Sequence, residues 1–153
     1  MKLEIQRRNL DEIAKKIELF DNGDIIKSHL AKYFCILISG YIENYIKELI
    51  SIYHIKTCKK ETAKFISGKM RNLTNLDDSK IISFLQSFSD NWAQEYQEIR
   101  SDEMEAAFNT VYAQRNKIAH GDASNSNITY YSILKYYEAI KGAMEILKMI
   151  ISK

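Results

Sequence analysis

Apolar residues recur at helical spacing through most of this chain. From about Ile25 or Ser28 to about Tyr53 they fall at Leu30, Tyr33, Phe34, Leu37, Ile38, Tyr41, Ile42, Tyr45, Ile46, Leu49 and Ile50. That three-and-four rhythm marks one face of an α-helix. Isoleucine is frequent there, but the alternation that a strand needs is absent. A second stripe, Tyr130, Ile133, Leu134, Tyr137, Ile140, Met144, Leu147 and Ile151, predicts a last helix capped by Thr129. A third runs through Met104, Ala107, Phe108, Val111, Tyr112, Arg115 and Ala119. Asp102-x-x-Glu105 reads as a capping-box-like start for it, and Gly121 as its stop. Shorter helices are predicted over 3–20, 61–70, from Asp77 or Asp78 to about Phe88, and over 91–99. Asp21-Asn22-Gly23-Asp24 is a turn, while 57–60, 71–75 and the polar run 122–127 are connections.

Three long amphipathic helices cannot bury their stripes singly. The expected fold is therefore all-α: an up-and-down helical bundle with long second and last helices plus shorter helices. A length of 153 residues fits one domain over 1–153 with a real core. No proline and only five glycines leave few breakers. An apolar content of 46% sets the chain apart from disordered sequences. Any apolar stripe left uncovered calls for a second copy of the chain.

Charge adds one feature. The net value of +2 is too small to announce nucleic-acid binding. Yet residues 56–71 carry Lys56, Lys59, Lys60, Lys64, Lys69 and Arg71 against the single acid Glu61, and 72–106 is predominantly acidic. The basic run can steer a polyanion or simply be a solvated helix face. Cys35 and Cys58 lie far apart with no CxxC, so neither a disulfide framework nor a zinc site is expected. The most apolar stretch is interrupted by Lys32, Glu43, Asn44, Lys47 and Glu48 and is not expected to span a membrane. With no signal-peptide pattern at the N-terminus, cytoplasmic residence is the expectation.

The candidate chemistry lies in Arg115-Asn116-Lys117-Ile118-Ala119-His120-Gly121. Arg115 stands four residues after Val111 and seven after Phe108, on their face of the helix. A guanidinium there must find a partner. That partner is either an acid, with Glu43 in the second helix the best candidate, or a phosphate gripped at two points. An imidazole titrates in the neutral range, so a histidine at position 120 can move a proton. In an unbroken helix, five residues turn the chain through about 500° and leave the two side chains about 140° apart. They converge only if the helix ends or kinks before His120, or if a two-fold axis brings in a second protomer. Asn116 can fix an orientation or add a donor. His29 and His54 are expected at the surface or in packing. Tyr131 and Tyr136 fall off the apolar stripe, as rim packing or as platforms for bases. No Gly-rich phosphate loop, His-x-x-x-His or nucleophilic triad competes, and no metal or other cofactor is expected.

A bundle with a long last helix, a preceding helix closed by Arg115-Asn116-x-x-x-His120-Gly121, and the helical Gly40-Tyr41-Ile42-Glu43 segment together resemble the HEPN superfamily. The resemblance covers roughly residues 25–150. Its specific part is the R-x4-H motif, with Asn after Arg, and its nearest likeness is to the RiboL-PSP-type HEPN subgroup. It implies a metal-independent endoribonuclease that cleaves RNA by 2′-OH transesterification. Arg115, His120 and Asn116 would be the catalytic residues and Glu43 a supporting acid. It also implies a homodimer with the motif at the interface. The biological role would be that of a toxin, with an antitoxin or regulatory protein as partner, or of an antiphage effector. Some relatives continue the motif as His-x-Tyr for regulatory modification of that Tyr, but Asp122 stands there in this chain. The alternative is a catalytically inactive HEPN-like module that binds nucleotide, RNA or a protein.

Overall fold

In this computed structural model, which describes residues 2–153, the helix with the longest apolar stripe lies at the centre. Seven α-helices form among those residues: α1 (Lys2–Glu18), α2 (Ile25–Ile50), α3 (Lys60–Arg71), α4 (Asp78–Gln86), α5 (Asp90–Ile99), α6 (Asp102–Ala119) and α7 (Tyr130–Ile151). No strand is present among them. α2 packs against α1, α6 and α7, and α6 packs along α7. These four make the bundle expected from the stripes. α3 and the α4–α5 pair are inserted between α2 and α6. By length and composition alone the helical stretch Ile25–Ile55 would pass for a membrane span. In the fold it is the core helix, with Phe34, Ile38, Ile42, Ile46 and Leu49 buried.

Local chemistry explains the helix boundaries. Asp24 caps α2 by accepting the Ile26 N–H at 2.8 Å. Lys27 is buried under the preceding turn. Its ammonium donates to the Phe20 carbonyl and the Asn22 side chain, each at 2.9 Å. The cation thus satisfies polar groups left over where α1 ends. Asp77, not Asp78, caps α4, accepting the Lys80 N–H at 2.8 Å. Ser101 rather than Asp102 caps α6, accepting the Met104 N–H at 3.2 Å. Asp102 and Glu105 instead sit in the first turn, where negative charge favours the helix N-terminus. Thr129 and Ser132 form a capping box at the start of α7. Beyond Ile50, α2 widens into a π-helical turn over Ser51–Ile55. There His54 bonds the Ile151 carbonyl at 2.8 Å and packs beside Trp92, tying the ends of α2 and α7 together. His29 is exposed. Both cysteines are free, and burial pushes the Cys35 thiol up to about 12, so it stays protonated.

The α4–α5 insertion is fastened to α6 by a buried ion network. Arg100 bonds Asp78 at 2.9 Å and Glu105 at 2.8 Å. The Tyr96 hydroxyl donates to Asp78 at 3.1 Å. Burial raises the Asp78 carboxyl, while Arg100 and the Tyr96 hydrogen bond pull it back toward the charged form. Just before this anchor comes the 72–77 loop, so the anchor also sets where that loop can lie.

The Arg100 and Asp78 side chains are only 12% and 4% exposed. Removing one member of such a buried pair strands the other, at about 3–5 kcal/mol. The Arg7–Glu145 pair, 43% and 56% exposed, lies where pairs contribute about 0–1 kcal/mol. Urea unfolding of Arg100→Met and Arg7→Met should therefore show a large loss for the first and a small one for the second. Equal losses would mean that Arg100 fills space rather than balancing charge.

Candidate active site

Packing sets the rotation of α6. Ala107, Phe108, Val111 and Gln114 are buried along one side. Arg115 follows on the same side and is half-buried where the helix leaves the core. Its Nη1 donates to the Asn116 side-chain oxygen at 3.4 Å. Among the described residues no carboxylate lies within ion-pair distance of it. The expected alternative, an Arg115–Glu43 pair, does not form. Glu43 is taken instead by the backbone N–H of Asn75.

Asn75 is the residue that sequence reasoning missed. It lies in the 72–77 loop with φ 50°, a left-handed conformation that asparagine tolerates better than most residues. Its N–H goes to Glu43, its carbonyl accepts Lys80 Nζ at 3.0 Å, and its side-chain amide donates to Asn116 Oδ1 at 2.7 Å. The Asn75 side-chain oxygen is buried without a partner. Asn116 Oδ1 thus receives donors from both Asn75 and Arg115. Two donors on the oxygen turn the Asn116 amide nitrogen the other way, free to meet an acceptor. The only sequence hint of this was an asparagine in a turn-prone segment.

His120 is the C-cap of α6, exposed at the helix end. Its backbone N–H still bonds the Asn116 carbonyl at 3.1 Å, although α6 itself ends at Ala119. Gly121 then turns left-handed at φ 78°. Its N–H meets the Ile118 carbonyl at 3.4 Å, and the Asp122 N–H meets that of Lys117 at 2.9 Å. This crossed pair of hydrogen bonds is a Schellman motif, and it needs glycine at that position. The following loop is held down by Lys32, which donates to the Ala123 carbonyl at 2.9 Å, and by Gln114, which accepts from Ser126 at 2.7 Å. Asp122 is engaged by the Asn125 side chain.

Within one chain, then, Glu43, Asn75, Asn116 and Arg115 form a connected polar cluster, and His120 lies outside it. No hydrogen bond joins Arg115 to His120. The cluster offers a guanidinium and an amide donor that could hold an anion. Among the described residues no three His, Cys, Asp or Glu side chains gather as a metal site.

An all-α bundle carrying an arginine, an asparagine and a histidine at one helix end defines a class of helical domain, and the comparisons make it specific. The family model for RiboL-PSP-HEPN matches residues 3–153. The chain belongs to that family. No curated protein and no solved structure matches it.

The arrangement of Arg115 separates a binding role from a structural one. Since no carboxylate depends on it, Arg115→Ala should lower stability by no more than about 1 kcal/mol, the range of partly exposed sites. Thermal unfolding of the variant measures this. A loss approaching that expected for Arg100→Met would return Arg115 to a structural role.

Proposed function

We propose that this protein is a metal-independent endoribonuclease of the cytoplasm that acts on RNA as a homodimer. The observation that carries the reading is the Arg115 guanidinium, half-buried beside a donor amide yet claimed by no acid. Guanidinium and amide suit the non-bridging oxygens of a phosphodiester, whose negative charge grows in the transition state. His120 supplies proton transfer. The 2′-oxygen of a ribose attacks the adjacent phosphorus and loses its proton to one imidazole. The bond to the 5′-oxygen breaks, and that oxygen takes a proton from a second imidazole. The products carry a 2′,3′-cyclic phosphate and a 5′-hydroxyl.

One chain holds one such histidine, exposed at the helix end and joined to its own Arg115 by no hydrogen bond. A two-fold pairing of the 115–121 segments provides both the acid and the base. An uncovered face of α2 supports that pairing. Ile26, Tyr33 and Ile36 are exposed there, and Gly40 has open space beside it. The same helical spacing leads on to Glu43, which holds the Asn75 loop. Apolar surface running up to a half-complete site is what a second copy would cover. Membership of the family favours a toxin or antiphage effector as the biological role, with an antitoxin or regulator as its partner.

Single-stranded RNA incubated with the purified protein should be cut in excess EDTA. RNA methylated at every 2′-oxygen should not be cut. His120→Ala should slow cleavage by about 10²–10⁴-fold with melting unchanged. Arg115→Lys should restore little of what Arg115→Ala loses, because a point charge cannot grip at two points. Ile36→Asp should give a monomer by light scattering and lose cleavage along with dimerisation. Cleavage that needs a divalent ion, or an Ile36→Asp monomer of full activity, would overturn the reading.

A further inference from the structure

The basic run at 56–71 takes a definite shape in the fold. α3 rests on the rest of the molecule through one narrow face, where Met70 alone is buried. Lys56, Lys59, Lys60, Lys64, Lys69 and Arg71 are all exposed, and among the described residues none of them is in an ion pair. A shallow groove runs along the outer face. It is lined by Lys64, Phe65, Gly68, Lys69, Arg71 and Asn72, and at about 100° per residue Lys64 and Arg71 fall to one side of Gly68 and Phe65 and Lys69 to the other. Glu61 at one end is its one acid. Phe65 is 67% exposed, with the Lys69 ammonium 5.7 Å from its ring centre. No packing requirement accounts for a phenylalanine held out in water among lysines.

Cations to either side of a glycine, with an aromatic ring among them, suit a nucleotide strand. The phosphates lie along the cations, and one base stacks on the ring. Chain connectivity supplies the direction. α3 ends at Arg71, and the loop that follows carries Asn75 to Asn116 and Arg115. A strand lying along the groove would leave it beside the candidate site. The competing occupant is an anionic membrane. A helix that binds a bilayer needs a broad apolar face, whereas the exposed face of α3 offers Phe65 alone.

We propose that the outer face of α3 is a docking groove for single-stranded RNA, with Phe65 as a stacking platform and Lys64, Lys69 and Arg71 as phosphate contacts. The proposal rests on the ribonuclease reading for its choice of RNA, but its test does not require activity. The probe is a fluorescent single-stranded RNA, methylated at every 2′-oxygen, whose binding is followed by anisotropy across a salt series. Lys64→Glu/Lys69→Glu should weaken binding at least tenfold. It should also flatten the plot of log affinity against log salt by about 1.4, the loss of two phosphate contacts on a single strand. Phe65→Ala should weaken binding about fivefold or more with the salt slope unchanged, because stacking releases no counterions. Lys15→Glu/Lys16→Glu on α1 carries the same charge change and should bind like the wild type. All these side chains are exposed, and thermal melting checks that the variants fold.

Equal weakening by the α1 and α3 reversals would overturn the groove. So would wild-type protein that fails to bind the RNA, or binding to phosphatidylserine vesicles that depends on Lys64 and Lys69 and that RNA does not displace. The two readings fail separately. If unmethylated RNA is cut with unchanged KM by Lys64→Glu/Lys69→Glu, the groove falls and the nuclease stands. If the methylated RNA binds through α3 but unmethylated RNA is never cut, the groove stands and the nuclease falls.

Discussion

Helix α6 is held in rotation by Ala107, Phe108 and Val111, and everything at its C-terminal end follows from that. Burying a side chain the size of Phe108 or Val111 stabilises the fold by about 1.5–3 kcal/mol each. No preference of Arg115 for water is strong enough to turn the helix against them. The guanidinium therefore stays at the edge of the core, half-buried. Asn116, one residue on, faces the 72–77 loop. His120 completes the turn on the outside and ends the helix with Gly121. One rotation thus sets Arg115 and Asn116 on the side of the 72–77 loop and leaves His120 exposed at the helix end.

Arg100 and Arg115, near the two ends of α6, are treated differently. Arg100 is nearly enclosed, and Asp78 and Glu105 balance its charge. It fastens the α4–α5 insertion to the start of α6. Arg115, half-buried near the other end of α6, has no acid within ion-pair distance among the described residues. The nearby carboxylate, Glu43, is spent on a backbone N–H instead. Its charge holds Asn75 in a left-handed conformation, and Asn75 fixes the Asn116 amide. The acid thus shapes the cluster through the loop, while the guanidinium, bonded to the Asn116 oxygen, stays clear of any carboxylate among the described residues.

The insertion between α2 and α6 joins these parts. Its far end is rigid, held by the Arg100 network and by the packing of His54, Phe88 and Trp92. Its near end, α3, buries only Met70 and so belongs to the less stable part of the fold. Between them the Asn75 loop is pinned at three atoms. A loosely packed basic helix thus leads directly into a firmly held loop.

The helices were legible in the sequence because their apolar spacing is a local, repeating property. So was the stop after His120, because only a glycine enters the left-handed region there without cost. The placing of Arg115 after Phe108 and Val111 on the core face of α6 followed from the same periodicity. Ser101 and Asp102 have similar capping chemistry, and only geometry shows which side chain reaches the Met104 N–H. The partners of Glu43, Asn75 and Arg115 were beyond sequence reasoning altogether. A loop has no period, and the segments that meet in this cluster are brought together by packing at sites far from it. By itself the sequence determined which residues could form a site and on which face of α6 they lie. The tertiary structure decided that Glu43 would hold a loop and leave the arginine free, because the anchored insertion delivers the Asn75 N–H to that carboxylate.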